Sequence, residues 1–168
     1  MMNRPRRSEV AIATSIKMIL KTLVEITENL HTLRHLSREI HWIGLELDVQ
    51  SLAFKETCRF LMQLDGDEGT ILMDLGSSLW SEGNLNSRSI QFLGRKSNEC
   101  GQLLINMQED LVKVKRSSAH VSKGEQLNEI PGDRRHIVDI DFSKSICEKS
   151  VSSLMHHNNQ LSALQAAL

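Results

Sequence analysis

Apolar residues recur along the first third of the chain with unusual regularity. Stepping alternately by four and three from Ile12 meets Ile16, Ile19, Leu23, Ile26, Leu30, Leu33, Ser37, Ile40, Gly44, Leu47, Ser51, Phe54, Cys58 and Leu61. A repeat of 3.5 residues held over so many turns has the form of a coiled-coil seam. It predicts one helix over about residues 9–64, roughly 85 Å long at 1.5 Å per residue. Ser8 can cap its start, with Glu9 in the first turn. Three interruptions, Ser37, Gly44 and Ser51, are small and seven apart, while Leu36 and Ile43 fall one place earlier. The stripe thus slides sideways, which suits contact with more than one neighbouring helix. A break near Gly44 is the alternative.

A second seam runs through Ile90, Leu93, Ser97, Cys100, Leu104, Met107, Leu111, Val114, Ser118 and Val121, predicting a helix over 88–122. Between the seams, Asp65-Gly66-Asp67-Glu68-Gly69 reads as a helix-ending turn. A short helix over 70–80 and a loop at 81–87 follow. The period vanishes over 123–142, where Gly124 and Pro131-Gly132 suggest a linker, and His136–Phe142 alternates as one short extended segment would. A last helix is expected over 143–168, opened by the capping-box pattern of Ser145 and Glu148. Its apolar side holds Cys147, Val151, Leu154, Leu161, Leu164 and Leu168. Residues 1–8 form a basic tail.

The fold expected is therefore all-α: an elongated antiparallel coiled-coil hairpin over 9–122, with a short connecting helix, and a separate C-terminal docking helix. A hairpin of two helices buries too little to be stable over that length. On this reading the seam residues are partner-binding: Ile12, Ile16, Ile19, Leu23, Ile26, Leu30, Leu33, Ile40, Leu47, Phe54 and Leu61 on the first helix, and Ile90, Leu93, Leu104, Met107, Leu111 and Val114 on the second. Val151, Leu154, Leu161, Leu164 and Leu168 would dock the C-terminal helix. Leu20, Leu36, Trp42, Ile43, Leu45, Leu52 and Phe60 lie off the seam and also want a partner.

Composition narrows the picture. Aromatics are 4% of 168 residues, with no Tyr, and only two prolines occur, which argues against a β-sandwich or barrel. A net charge of −1 speaks against a dedicated nucleic-acid binder. Short basic clusters (Arg4, Arg6 and Arg7; Lys113, Lys115 and Arg116; Arg134 and Arg135) lack interleaved aromatics and suit at most a secondary contact with an acidic surface. Three scattered cysteines, Cys58, Cys100 and Cys147, make no disulfide framework or zinc spacing and fit a reducing compartment. The apolar stretch at 10–26 is cut by Lys17, Lys21 and Glu25, too interrupted for a membrane span. A mitochondrial presequence is the weaker reading of the basic start.

Candidate chemistry is sparse. From Asp65 the calcium-loop pattern fails at positions 5, 6 and 12, which are Gly69, Thr70 and Gly76. His31 and His35 share a helix face but lack a third ligand, and adjacent His156 and His157 read as surface. No phosphate loop, dinucleotide fingerprint or nucleophile elbow occurs. No catalytic, cofactor or metal site is expected. The function expected is a non-enzymatic coiled-coil structural subunit of a hetero-oligomeric assembly, first among them a cytoskeletal, spindle or microtubule-associated complex. It would sit in the cytoplasm, on the cytoskeleton or spindle, or in the nucleus. The alternative is a compact helical-bundle regulatory module or adaptor, of the vesicle-tethering or viral or bacterial oligomerisation kind.

Overall fold

A computed structural model describes residues 11–31, 38–82, 84–127 and 134–168. The fold is all-α, with no strand among the described residues. Helices α1 (Ile12–His31), α2 (Arg38–Leu61), α5 (Ser97–Leu127) and α6 (Arg134–Ala166) are long, and α3 (Leu79–Glu82) and α4 (Leu85–Leu93) are short. A 3₁₀ helix spans Gly66–Met73.

The long helices form a ring of four. α1 packs on α5, α5 on α6, α6 on α2, and α2 on α1. Polar contacts fix the directions. Asn29 Nδ2 donates to Ser118 Oγ at 3.1 Å, and Gln108 meets Met18 at 3.6 Å, so α1 and α5 run parallel. Asn158 Nδ2 donates to the Gln50 carbonyl at 2.9 Å, and Lys144 Nζ lies 2.7 Å from Glu39, so α2 and α6 also run parallel. Leu20, Leu23 and Glu28 of α1 line one groove with Asp48, Leu52 and Lys55 of α2, so these helices lie side by side; the six residues between them are too few to return the chain to the start of α1, so the two run antiparallel.

This arrangement corrects the expected rod. In one helix, Leu20 and Lys55 would lie about 50 Å apart; here they line one groove. The first seam therefore belongs to two helices folded side by side. The break does not fall at Gly44, which is buried inside α2. Residues 32–37, including Leu33 and Leu36, lie outside the described residues. Folding back lets the seam bury itself: Ile12, Ile16, Ile19, Leu23, Ile26, Leu30, Ile40, Leu47, Phe54 and Leu61 are all in the core with Leu93, Leu104, Met107 and Leu111. Ile90 and Val114 pack partly buried against them. Each such side chain gains about 1.5–3 kcal/mol on leaving water. The seam residues thus pack into the chain's own bundle.

The second half is corrected in the same sense. α5 runs to Leu127 and α6 starts at Arg134, so most of the expected linker over 123–142 is helical, including the stretch read as extended. Loss of a hydrophobic period removes a packing signal; it does not remove helix propensity. Ser145 and Glu148 lie inside α6. Ile146, Cys147, Leu154, Leu161 and Leu164 are buried and Val151 is half-buried, which makes α6 a core helix of the ring, not a separate docking element. Leu168 lies past the helix end and is 46% exposed.

The connection from α2 to α5 crosses one end of the ring, because those helices lie on its diagonal. Leu64, Ile71, Leu72 and Leu85 close that end of the core. Asn86 Oδ1 accepts from the Ala13 amide at 3.3 Å, tying the plug to the start of α1. The expected helix over 70–80 is instead the earlier 3₁₀ helix, followed by α3. Gly94, at φ +55°, separates α4 from α5, where a single helix over 88–122 was expected. No L side chain adopts that conformation readily. Ser97 Oγ caps the break by donating to the Gly94 carbonyl at 2.7 Å.

Candidate interaction surface

α2 carries two apolar stripes on opposite sides. The inner one, Ile40, Leu47, Phe54, Cys58 and Leu61, faces the core. The outer one steps by three, four and three through Trp42, Leu45, Val49 and Leu52 on the opposite side of the helix, with Leu52 at the edge facing α1. Trp42 is 63% exposed, Val49 57% and Leu52 59%. Isolated exposed apolar residues are ordinary, but a contiguous stripe of this kind marks an interaction site. Phe60, further along the helix, is different: its ring meets Phe92 edge-on at 5.2 Å, so it seals the joint with α4.

Beside the stripe runs an open groove of about 430 Å³ between α1 and α2. Leu20 and Leu23 form its floor, Val24 and Leu52 its apolar rim, and Glu28, Asp48 and Lys55 its charged rim. The buried Ser51 Oγ beneath it has no hydrogen-bond partner. Val24, 47% exposed, extends the apolar surface from α2 onto α1. Charges around the stripe are mixed: Glu39, Glu46, Asp48 and Glu56 against Arg38, Lys55 and Arg59.

Of the off-seam residues expected to want a partner, the structure separates two groups. Leu20 is buried and Ile43 packs against the core, whereas Trp42, Leu45 and Leu52 stay outside. Val49 completes the stripe and was missed, although its place four after Leu45 and three before Leu52 gave the signal.

Polar groups inside the ring do structural work. His157, read from sequence as surface, is buried; its Nε2 lies 2.7 Å from Asp110 Oδ2 and its Nδ1 3.2 Å from Gln160. Together with Asn158–Gln50 and Asn29–Ser118 it pins the register of neighbouring helices, since a slip would strand buried polar groups. Burial pushes the Cys58 thiol well up, with Cys100 adding to the shift. Burial likewise raises Cys100 to about 12 and Cys147 to about 11, helped by Glu99 and Glu148. Such thiols stay protonated at neutral pH and behave as small apolar groups.

Asp65–Gly69 opens the 3₁₀ helix. The Asp65 amide donates to the Glu68 carboxylate at 3.1 Å, and Arg88 pairs with the same carboxylate at 3.2 Å, which together lower its pKa. Of the basic clusters, Lys115 pairs with Glu25, while Lys113 and Arg116 are exposed; residues 4–7 lie outside the described part. His31 is exposed at the end of α1, and His35 lies outside the described residues. Among the described residues no group of three metal-ligating side chains occurs, and no helix is long and apolar enough to cross a membrane. Neither a family model, a curated protein nor a solved structure matches the chain.

Proposed function

We propose that the protein is a non-enzymatic structural subunit of a larger protein assembly, working through helix-mediated contacts. The first setting is a cytoskeletal, spindle or microtubule-associated complex in the cytoplasm, with other helical subunits as partners. The observation that supports an interaction role is the outer stripe of α2, where Trp42, Val49 and Leu52 stand in water although the seam of the same helix is saturated. Exposed Lys113 and Arg116 suit a secondary contact with an acidic surface. The compact regulatory module or adaptor is the second reading, favoured by the closed ring of four helices, which needs no partner helix to complete its core.

Affinity purification of the tagged full chain with crosslinking mass spectrometry tests the reading. Crosslinks to partners should gather at Lys55, beside the stripe. Leu52→Glu should lose those partners while circular dichroism stays native. An unchanged partner set with the folded Leu52→Glu chain would remove the stripe from the account.

A further inference from the structure

α1 and α2 run in opposite directions, and a reversal removes any need for their buried faces to share one phase. They share it nonetheless. The alternating steps of three and four that link Leu23, Ile26 and Leu30 pass through positions 33 and 37 and reach Ile40, Leu47 and Phe54 without a slip, and all six of those side chains are buried. The connection between α5 and α6 gives the contrast. Stepping by sevens from Leu104 and Leu111 arrives at positions 146, 153 and 160, each one short of buried Cys147, Leu154 and Leu161, and that connection holds Pro131 and Gly132. Residues 32–37 hold neither Pro nor Gly. One phase carried through a segment without a helix breaker is what a single helix over 12–61 requires, about 75 Å long.

α1 is held mainly by α5. Asn29 donates to Ser118, Lys115 pairs with Glu25, and Asn86 accepts from the Ala13 amide. All these partners follow α2 in the chain, so a second copy offers the same set in the same arrangement. With α1 and α2 joined as one straight helix, α1 leaves its own bundle and enters the identical place in the other copy, which returns the exchange. Each bundle keeps its core, and only the connection changes.

We propose that the chain forms an exchanged dimer, in which residues 12–61 run as one helix and α1 of each copy completes the bundle of the other. The surface the second copy fits is the cradle of α2, α4 and α5 that α1 fills in the monomer. Monomer and dimer share one core, so concentration and the helix propensity of residues 32–37 set the balance between them. The outer stripe of α2 takes no part in the exchange.

Refolding the full chain from urea at about 200 μM and at about 1 μM, followed by size-exclusion chromatography with light scattering, tests it. The concentrated sample should yield a separable dimer and the dilute one monomer alone. Spin labels at Lys21→Cys and Glu56→Cys, in labelled chain refolded with excess unlabelled chain, should lie about 50 Å apart in the dimer fraction and within about 25 Å in the monomer. Arg34→Pro blocks a continuous helix and should cut the dimer yield about tenfold or more, with the circular dichroism of the monomer unchanged. T32A/H35A raises helix propensity in the connection and should increase the yield about threefold or more. Absence of a dimer from the concentrated sample overturns the proposal. So does a dimer whose labels stay at the monomer distance, which would be two intact bundles joined through their surfaces. If Arg34→Pro does not fold, T32A/H35A decides: a dimer yield that it leaves unchanged overturns the exchange.

Discussion

The inner and outer faces of α2 lie on one helix and have similar spacing, yet they have opposite fates. The inner stripe, from Ile40 to Leu61, is covered by the other helices of the ring; the outer one, from Trp42 to Leu52, stays largely exposed among the described residues. α1 shows the simpler case, with one seam that is fully consumed. The difference teaches that regular apolar spacing reports a helix face that will be buried, but not by whom. A partner is called for only after the chain's own helices have been allowed to fold back and take what they can. What remains on α2 is the residue of that subtraction.

The largest effect that could break the comparison is on stability. Phe54→Ala, on the inner face and fully buried, should cost about 3–5 kcal/mol in urea unfolding. Trp42→Ala, on the outer face, should stay within about 0.5 kcal/mol despite removing a larger side chain. Similar losses at both positions would mean the outer stripe is not exposed.

A smaller effect sharpens the account of how the ring is fixed. Asn158→Ala removes the donor to Gln50 between α2 and α6 and should cost about 1–3 kcal/mol, with unfolding still cooperative. Glu46→Ala, on the outer side of the same helix, should be almost silent by the same measurement. The cysteines report the inner face kinetically. Buried and protonated, Cys58, Cys100 and Cys147 should react with a thiol reagent at pH 8 only as fast as the bundle opens, followed by mass spectrometry. Their raised pKa values also mean that stability declines as pH rises above the ordinary thiol range, since the unfolded chain loses those protons first.

The smallest effect lies in the end plug. The Glu68 pKa is lowered by the Asp65 amide and then by Arg88, so its contribution is present above the ordinary carboxylate range and fades as pH falls through the lowered value. The difference in Tm between wild type and Glu68→Gln should therefore be greatest near neutral pH and shrink in acid.

Much of the bundle was legible in the residues. The buried side of α1, α2 and α5 follows the seams almost position by position, because a 3.5-residue period requires a continuous apolar face. The reversal between α1 and α2 was not legible. Residues 32–37 hold no Gly or Pro, and Leu33 continues the period across them, so local chemistry gives no stop. At Gly94 the reverse held: a glycine was visible, but only its positive φ distinguishes a break from a tolerated helix residue. α6 was shortened in the reading because residues 134–142 lack a period and Ser145 mimics a cap; packing on α2 and α5, absent from any local pattern, carries that helix. The interaction surface was half visible. Trp42, Leu45 and Leu52 stood out as apolar residues off the seam, yet Leu20 and Ile43 did so equally and turned out to be internal.

The central claim is that the first seam folds back on itself and leaves the outer face of α2 exposed. Its most direct test is the distance between spin labels at Lys21→Cys and Glu56→Cys, both exposed positions, by double electron–electron resonance with labelled chain diluted in unlabelled chain. The folded-back pair should lie within about 25 Å, two packed helices apart with label arms. A distance of about 50 Å, the rise of 35 residues in one helix, would contradict the account and restore the rod.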